Sequence, residues 1–199
     1  MKPTNRFRPI DLTLASLFVA MTAIGANITT FAPFMTFGTI PITLQTFFAV
    51  MAGLVLGKRL GAFAMLVYML VGLVGIPVFA GAMGGLGIIM KPTFGFILSF
   101  IPAAYVAGWI VENRKGFLPF ILGAAVGTII NYVFGTTWMY FFTIFGADAG
   151  GFTYGMAWKV MLPFMPKDAI LAIFAGIFAT RLHSTFLSRS RYYNHTHTT

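Results

Sequence analysis

The sequence predicts an all-α membrane protein: one integral domain over residues 1–199, six transmembrane helices, and both termini in the cytoplasm. Three observations carry this reading. First, 58% of the residues are hydrophobic and only 9% are charged, whereas a soluble domain carries about 25% charged residues. Second, residues 12–57, 60–90, 92–111 and 116–147 contain no Asp, Glu, Lys or Arg, and a helical span needs ~20 apolar residues. These runs are apolar all round. Strands of an outer-membrane barrel would alternate, so the spans are helices. Third, the 13 basic residues divide unevenly between the two sides of the resulting topology.

Taken in order, residues 1–11 form a basic cytoplasmic lead, and residues 12–187 form the bundle. Helix 1 is expected over 12–28. Its small residues Ser16, Ala20 and Ala23 share one face, which Asn27 continues. Such a face allows close helix approach, either within the bundle or against another subunit. Residues 29–41, with two prolines and several aromatics, read as an outer loop dipping into the membrane edge. Helix 2 is expected over 43–56 and helix 3 over 60–76, joined by the tight turn Gly57-Lys58-Arg59 and ended by Pro77. Helix 4 is expected over 94–111, helix 5 over 117–142, and helix 6 from Pro163 or Pro166 to Leu187. Residues 146–158 read as an outer loop or short interfacial segment, and 188–199 as a cytoplasmic tail. This arrangement places ten cations on the terminal side (Lys2, Arg6, Arg8, Lys58, Arg59, Arg114, Lys115, Arg181, Arg189 and Arg191). It places three, Lys91, Lys159 and Lys167, on the other. The excess of Lys and Arg marks the cytoplasmic side and accounts for the net charge of +9 without nucleic acid as a partner.

The connection between helices 3 and 4 is the most unusual stretch. Residues 77–87 carry four glycines and no charge, and Lys91 closes the segment. Glycine permits close backbone approach to a ligand, so Gly84 and Gly85 are candidates for a binding loop, with a flexible connector as the plain alternative. Phe79 offers a face to an apolar ring. Lys91 offers a partner for a ligand carboxylate, or is simply solvated.

Few polar groups fall within the spans. Asp168 lies 13 residues before Arg181, ~20 Å along a helix, which puts it in the outer half of a ~30 Å apolar core. An ionisable group there is a functional candidate; stabilising the helix N-terminus is the alternative. Asn131 both donates and accepts hydrogen bonds, which suits a urea or amide ligand or an interhelical bond. Trp138 and Tyr140 suit interfacial anchoring or a pocket wall. Gln45 and Tyr68 are weaker candidates.

Catalytic patterns are lacking. There is no Walker loop, and no cysteine. His183, His195 and His197 all lie at or beyond the cytoplasmic end. No catalytic residue, metal site or cofactor is therefore expected, and an intramembrane enzyme is the weak alternative.

Several segments resemble one family. Pro41-Ile42-Thr43-Leu44-Gln45-Thr46, followed by Ala52-Gly53, Leu56-Gly57 and Arg59-Leu60-Gly61, is similar to a segment of the BioY family, the biotin-specific S components of energy-coupling-factor (ECF) transporters. Residues 72–85, Pro92-Thr93-Phe94-Gly95-Phe96 and Pro163-Phe164-Met165-Pro166-Lys167-Asp168 resemble further motifs of that family, in the same order. Lys91 and Phe94 stand where the family has glycine, Ala82 replaces a loop glycine, and Leu171 stands where the family often has Lys. The resemblance implies a six-helix subunit of the cell membrane that binds biotin on its outer face. It implies a membrane coupling subunit, docked through the Ser16, Ala20 and Ala23 face, and two ATP-hydrolysing subunits. Asp168 matches the family's acidic residue. Residue chemistry alone leaves open another small vitamin or a facilitator working alone.

Overall fold

The computed structural model describes residues 8–28, 36–37, 40–114, 116–146 and 151–183. The expectations for 1–7, most of the 29–41 loop, and everything beyond His183 fall outside these residues. The chain is a helical bundle with seven α-helices among the described residues: α1 Pro9–Ala26, α2 Gln45–Leu56, α3 Lys58–Leu73, α4 Phe94–Asn113, α5 Leu118–Phe145, α6 Tyr154–Met161 and α7 Met165–Leu182. A 3-10 turn, Leu86–Met90, interrupts the α3–α4 connection, and a two-residue antiparallel pair, Thr36–Phe37 with Ile40–Pro41, precedes α2.

Several boundaries differ from expectation. α1 begins at Pro9 rather than residue 12, because Pro9 takes the first helical position and Asp11 accepts a 2.8 Å hydrogen bond from the Arg8 N–H. Pro is preorganised for that position, so the expected lead contributes a first turn. α3 starts immediately after Gly57, whose φ of +82° makes a one-residue turn. A side chain there would meet the Glu112 carboxylate, which accepts from the Lys58 N–H at 2.8 Å and pairs with Lys58 Nζ at 2.9 Å. The segment 146–158, expected as an outer loop or short interfacial segment, holds the start of the short helix α6, begun by Thr153, whose Oγ1 accepts from the Met156 N–H; residues 147–150 lie outside the described residues. α6 meets α7 at 61° across a short break that contains Pro163.

The packing inverts the usual soluble pattern. Ala49, Ala52, Ala64, Ala103, Ala104, Ala107, Ala124 and Ala175 are wholly buried, while Leu17, Ile24, Ile129, Phe134, Phe174 and Phe178 face outward. Small residues inside let backbones approach: a Cβ on Gly53 would collide with the Ala104 carbonyl, and one on Gly123 would lie 2.9 Å from the Ala107 oxygen. Large apolar residues outside suit lipid as solvent. α2 is the central helix and touches α1, α3, α4, α5 and α7.

Three helices, α1, α4 and α5, are long and apolar enough to cross a membrane, or four if the bent α6–α7 pair is one span. α2 and α3, with 12 and 16 residues, fall short of ~20. Helix length alone therefore does not give the expected six spans. A central helix such as α2 is enclosed by protein, so its length need not match the bilayer.

Candidate ligand-binding site

The connections bring the polar candidates to one end of the bundle. The start of α2 meets the end of α3 and the start of α4. The C-terminal half of α5 lies beside the start of α7. The opposite end carries the Lys58–Glu112 pair.

Two polar clusters occupy this end. In the first, the Gln45 side-chain amide donates to the Tyr68 hydroxyl (2.8 Å), which donates to the Val78 carbonyl (2.9 Å). Asn131, 1% exposed, donates to Ser99 Oγ (2.6 Å) and the Phe96 carbonyl (3.2 Å), and its oxygen accepts from Thr46 Oγ1 (3.2 Å). Asn131 thus joins α5 to α4 and α2. Buried amide groups must be paired because desolvation without a partner is costly.

The second cluster is charged. Asp168, 7% exposed, accepts from the Tyr132 hydroxyl at 2.6 Å through Oδ2. Its Oδ1 faces Lys167 Nζ at 2.6 Å, and the same ammonium donates to the Thr43 carbonyl at 2.6 Å. The carboxylate sits in the first turn of α7, where the helix dipole favours an anion. The carboxylate is thus at once buried within the protein and placed at a helix N-terminus. Thr43, Gln45 and Thr46, within one stretch of four residues at the start of α2, link the two clusters.

The glycine-rich connection folds over these groups. The ring of Phe79 is buried edge-on to Tyr68, centroids 5.5 Å apart, over Gly72, where a Cβ would enter the ring. Phe79 is thus packed as core rather than presented as an open wall. Gly84 lies against the Ile76 carbonyl, where a Cβ would come within 2.5 Å, and the Gly85 N–H donates to the Gly72 carbonyl at 2.7 Å. Asn27 Oδ1 accepts from the Ala82 N–H at 2.7 Å, fastening the tip to α1. Lys91 is exposed, its ammonium 2.8 Å from Met83 Sδ, and shares no contact with the Asp168 cluster. Trp138 packs edge-on to Phe94, centroids 6.0 Å apart, with its Cβ in the space a side chain on Gly95 would take. The Trp138 Nε1 and Thr136 Oγ1 atoms are buried without a hydrogen-bond partner.

Tyr132, Ser99 and Lys167 are central to this geometry, yet sequence reasoning did not single them out as site residues. Tyr132 had a signal in its position beside Asn131 on an apolar helix. Ser99 had none, since a lone serine in a membrane helix often bonds its own backbone. The clearest groove lies elsewhere: about 430 Å³ between α5 and the α6–α7 bend, apolar, with Tyr132 and Trp158 in its wall. On α1, Ser16 and Ala20 are exposed and Ala23 is half-buried.

A bundle packed through alanine and glycine, greasy outside and with most of its buried polar groups gathered at one end, defines a multi-pass membrane protein. The chain belongs to the BioY family, whose model matches residues 1–188. It is 38% identical over 181 residues to a putative biotin transporter BioYB of Bacillus subtilis, covering 90% of each chain. It is 38% identical to a probable biotin transporter BioY of Pyrococcus horikoshii, covering 86% of this chain and 95% of the relative. A biotin transporter BioY of Thermotoga maritima is 32% identical, with 90% and 99% covered. The fold matches a crystal structure described as the S component for biotin from an ECF-type ABC transporter, with a TM-score of 0.73 and 21% identity, over 88% of this chain and 92% of that one.

Proposed function

We infer that this chain is the biotin-binding S component of an ECF-type uptake transporter, taking biotin at its outer face. The observation that carries this most directly is the Asp168 cluster: a buried carboxylate held by Tyr132 and Lys167 at one end of an apolar bundle, in a chain of the BioY family. Biotin offers a ureido ring with two N–H donors and a carbonyl, an apolar thioether ring and a carboxylate tail. Asp168 accepts from a ureido N–H, and the unpartnered Trp138 N–H serves the carbonyl, while Asn131, with both N–H groups engaged, braces α4 and α2 around the site. Trp138 covers the ring, Phe79 packs beneath the loop as core, and Gln45 orders the base of the loop through Tyr68. The Gly84 amide, with Lys91, holds the carboxylate, while the Gly85 amide closes the loop on Gly72.

In this reading the chain crosses the plasma membrane six times with both termini cytoplasmic, as the cation distribution requires. α2 and α3 serve as short spans sheltered by their neighbours, and α6 with α7 makes one bent span. The chain carries no nucleotide-binding loop, so uptake draws on a membrane coupling subunit, docked at Ser16, Ala20 and Ala23, and two ATP-binding subunits. It binds and releases its ligand unchanged and is not an enzyme.

Equilibrium binding of radiolabelled biotin to the purified chain tests this. Saturable, stoichiometric binding with the label recovered as biotin is expected. Binding of a different vitamin in preference, or recovery of a product, would replace the reading.

A further inference from the structure

From Leu70 to Met90 no side chain is charged or capable of a conventional hydrogen bond. Only residues 70–73 of that run belong to α3. A loop that lies in water normally carries polar residues, and this one does not. Its inner side is accounted for: Phe79 and Ile88 are buried in the main core, and Val78 supplies the carbonyl that Tyr68 binds. Its outer side is not covered by the described residues. Val74 is 84% exposed, Leu86 70% and Met90 72%, with Ile76 half exposed. A recess between the end of α3 and the 3-10 turn is lined by Leu70, Leu73, Val74, Gly85 and Leu86.

Two observations say what covers this side. Leu66, Leu70 and Val74 recur at every fourth residue of α3 and its C-cap, all exposed, so the loop patch continues a helical stripe that faces lipid if α3 spans the bilayer. Much of the loop backbone is also satisfied internally. Val74 donates to Leu70, Gly75 to Gly72, Ile76 to Val71, Val78 to Ile76 and Phe79 to Met83, while Pro77 has no N–H. Met83 returns a bond to Phe79, Gly85 donates to Gly72, and Asn27 takes the Ala82 N–H. Irregular backbone cannot enter an apolar phase with its N–H groups free; here the N–H groups of Val74 and Ile76, and those of Ile88 and Lys91 at the 3-10 turn, are paired.

We propose that the 74–90 connection is a membrane-inserted loop, with Val74, Ile76, Leu86 and Met90 seated among the acyl chains of the outer leaflet. Lys91, exposed at its end, marks the headgroup level, where a long cationic side chain reaches water. Lipid then holds the outer side of the same segment whose inner side, through Phe79 and Val78, roofs the polar cluster. The proposal rests on the six-span topology inferred above, since α3 must cross the membrane for the stripe to face lipid.

The chain has no cysteine, so single Leu66→Cys, Leu86→Cys, Met90→Cys and Arg114→Cys variants can be nitroxide-labelled in the full-length protein in lipid nanodiscs. Each label's collision rate is read with oxygen, which concentrates in lipid, and with a polar nickel chelate, which stays in water. The expected oxygen-to-nickel ratio at 86 and 90 matches that at 66 and exceeds that at 114. A lipid-like ratio at 66 with water-like ratios at 86 and 90 would overturn the insertion alone. A water-like ratio at 66 would overturn the six-span topology and the insertion with it. Low collision with both reagents at 86 and 90 would show a protein surface covering the patch and would equally overturn the proposal.

Discussion

Replacing Asp168 by Asn separates the structural from the ligand-binding role of the carboxylate, because the two losses have different sizes and readouts. In the free protein, Tyr132 donates a 2.6 Å hydrogen bond to an ionised oxygen. A hydrogen bond to a charged group is worth ~1.5–3 kcal/mol and a neutral one ~0.5–1.5 kcal/mol, so the amide forfeits about 1–1.5 kcal/mol there. The Lys167 ion pair is also lost. Its side chains are 27% and 9% exposed, between the exposed case of ~0–1 kcal/mol and the fully buried case of ~3–5 kcal/mol. Lys167 keeps the Thr43 carbonyl, so about 1–2 kcal/mol is a fair cost. The sum, about 2–3.5 kcal/mol, is below a typical total of ~5–15 kcal/mol, and the variant should fold. Biotin binding loses a further charged acceptor, ~1.5–3 kcal/mol, which is a ten- to hundredfold rise in Kd at about 1.4 kcal/mol per decade. Calorimetric titration measures the binding, and thermal unfolding in detergent measures the stability. Tyr132→Phe is the comparator: it keeps the carboxylate charged, so it should cost stability with a smaller loss of affinity. Wild-type affinity in a destabilised Asp168→Asn variant would leave Asp168 as a structural residue only. Additivity of the two substitutions in stability within about 0.5 kcal/mol would deny their coupling.

Three further predictions follow from the same geometry. Ala20→Trp should leave biotin binding nearly unchanged, since Ala20 is exposed and remote from the loop, yet stop ATP-driven uptake in the assembled transporter; parallel loss of both activities would make this face part of the core. Lys91→Ala should weaken binding of biotin more than of a biotin amide, because only the free acid offers a carboxylate; equal effects in competition binding would remove Lys91 from that role. Gly72→Ala places a methyl in the Phe79 ring and should lift the loop from Tyr68, at a cost of about 1–3 kcal/mol for overpacking; unchanged thermal stability and affinity would show that the ring does not hold the loop.

Class and helix order were legible because they follow from one-dimensional quantities: long apolar runs and turn residues. Asp168 and Asn131 were legible for the same reason, since a polar residue within such a run stands out. The partners of those residues were not. Tyr132 and Asp168 are 36 positions apart, and Asn131 and Ser99 are 32 apart; only packing of α5 against α4 and α7 brings them within hydrogen-bond distance. Phe79 shows the limit from the other side: an aromatic after a proline reads as a free wall, but Gly72 leaves a space on α3 that its ring fills. Lys91 and Lys167 look alike as outer cations, and tertiary contacts separate them, one resting at the surface on a sulfur, the other joining α7 to the segment before α2. Residue type and burial pattern are set by the solvent each segment must meet, and the chain writes that locally. Which polar group meets which depends on helix rotation and on close approach at Gly53, Gly72 and Gly95, and those are decided only when the helices pack.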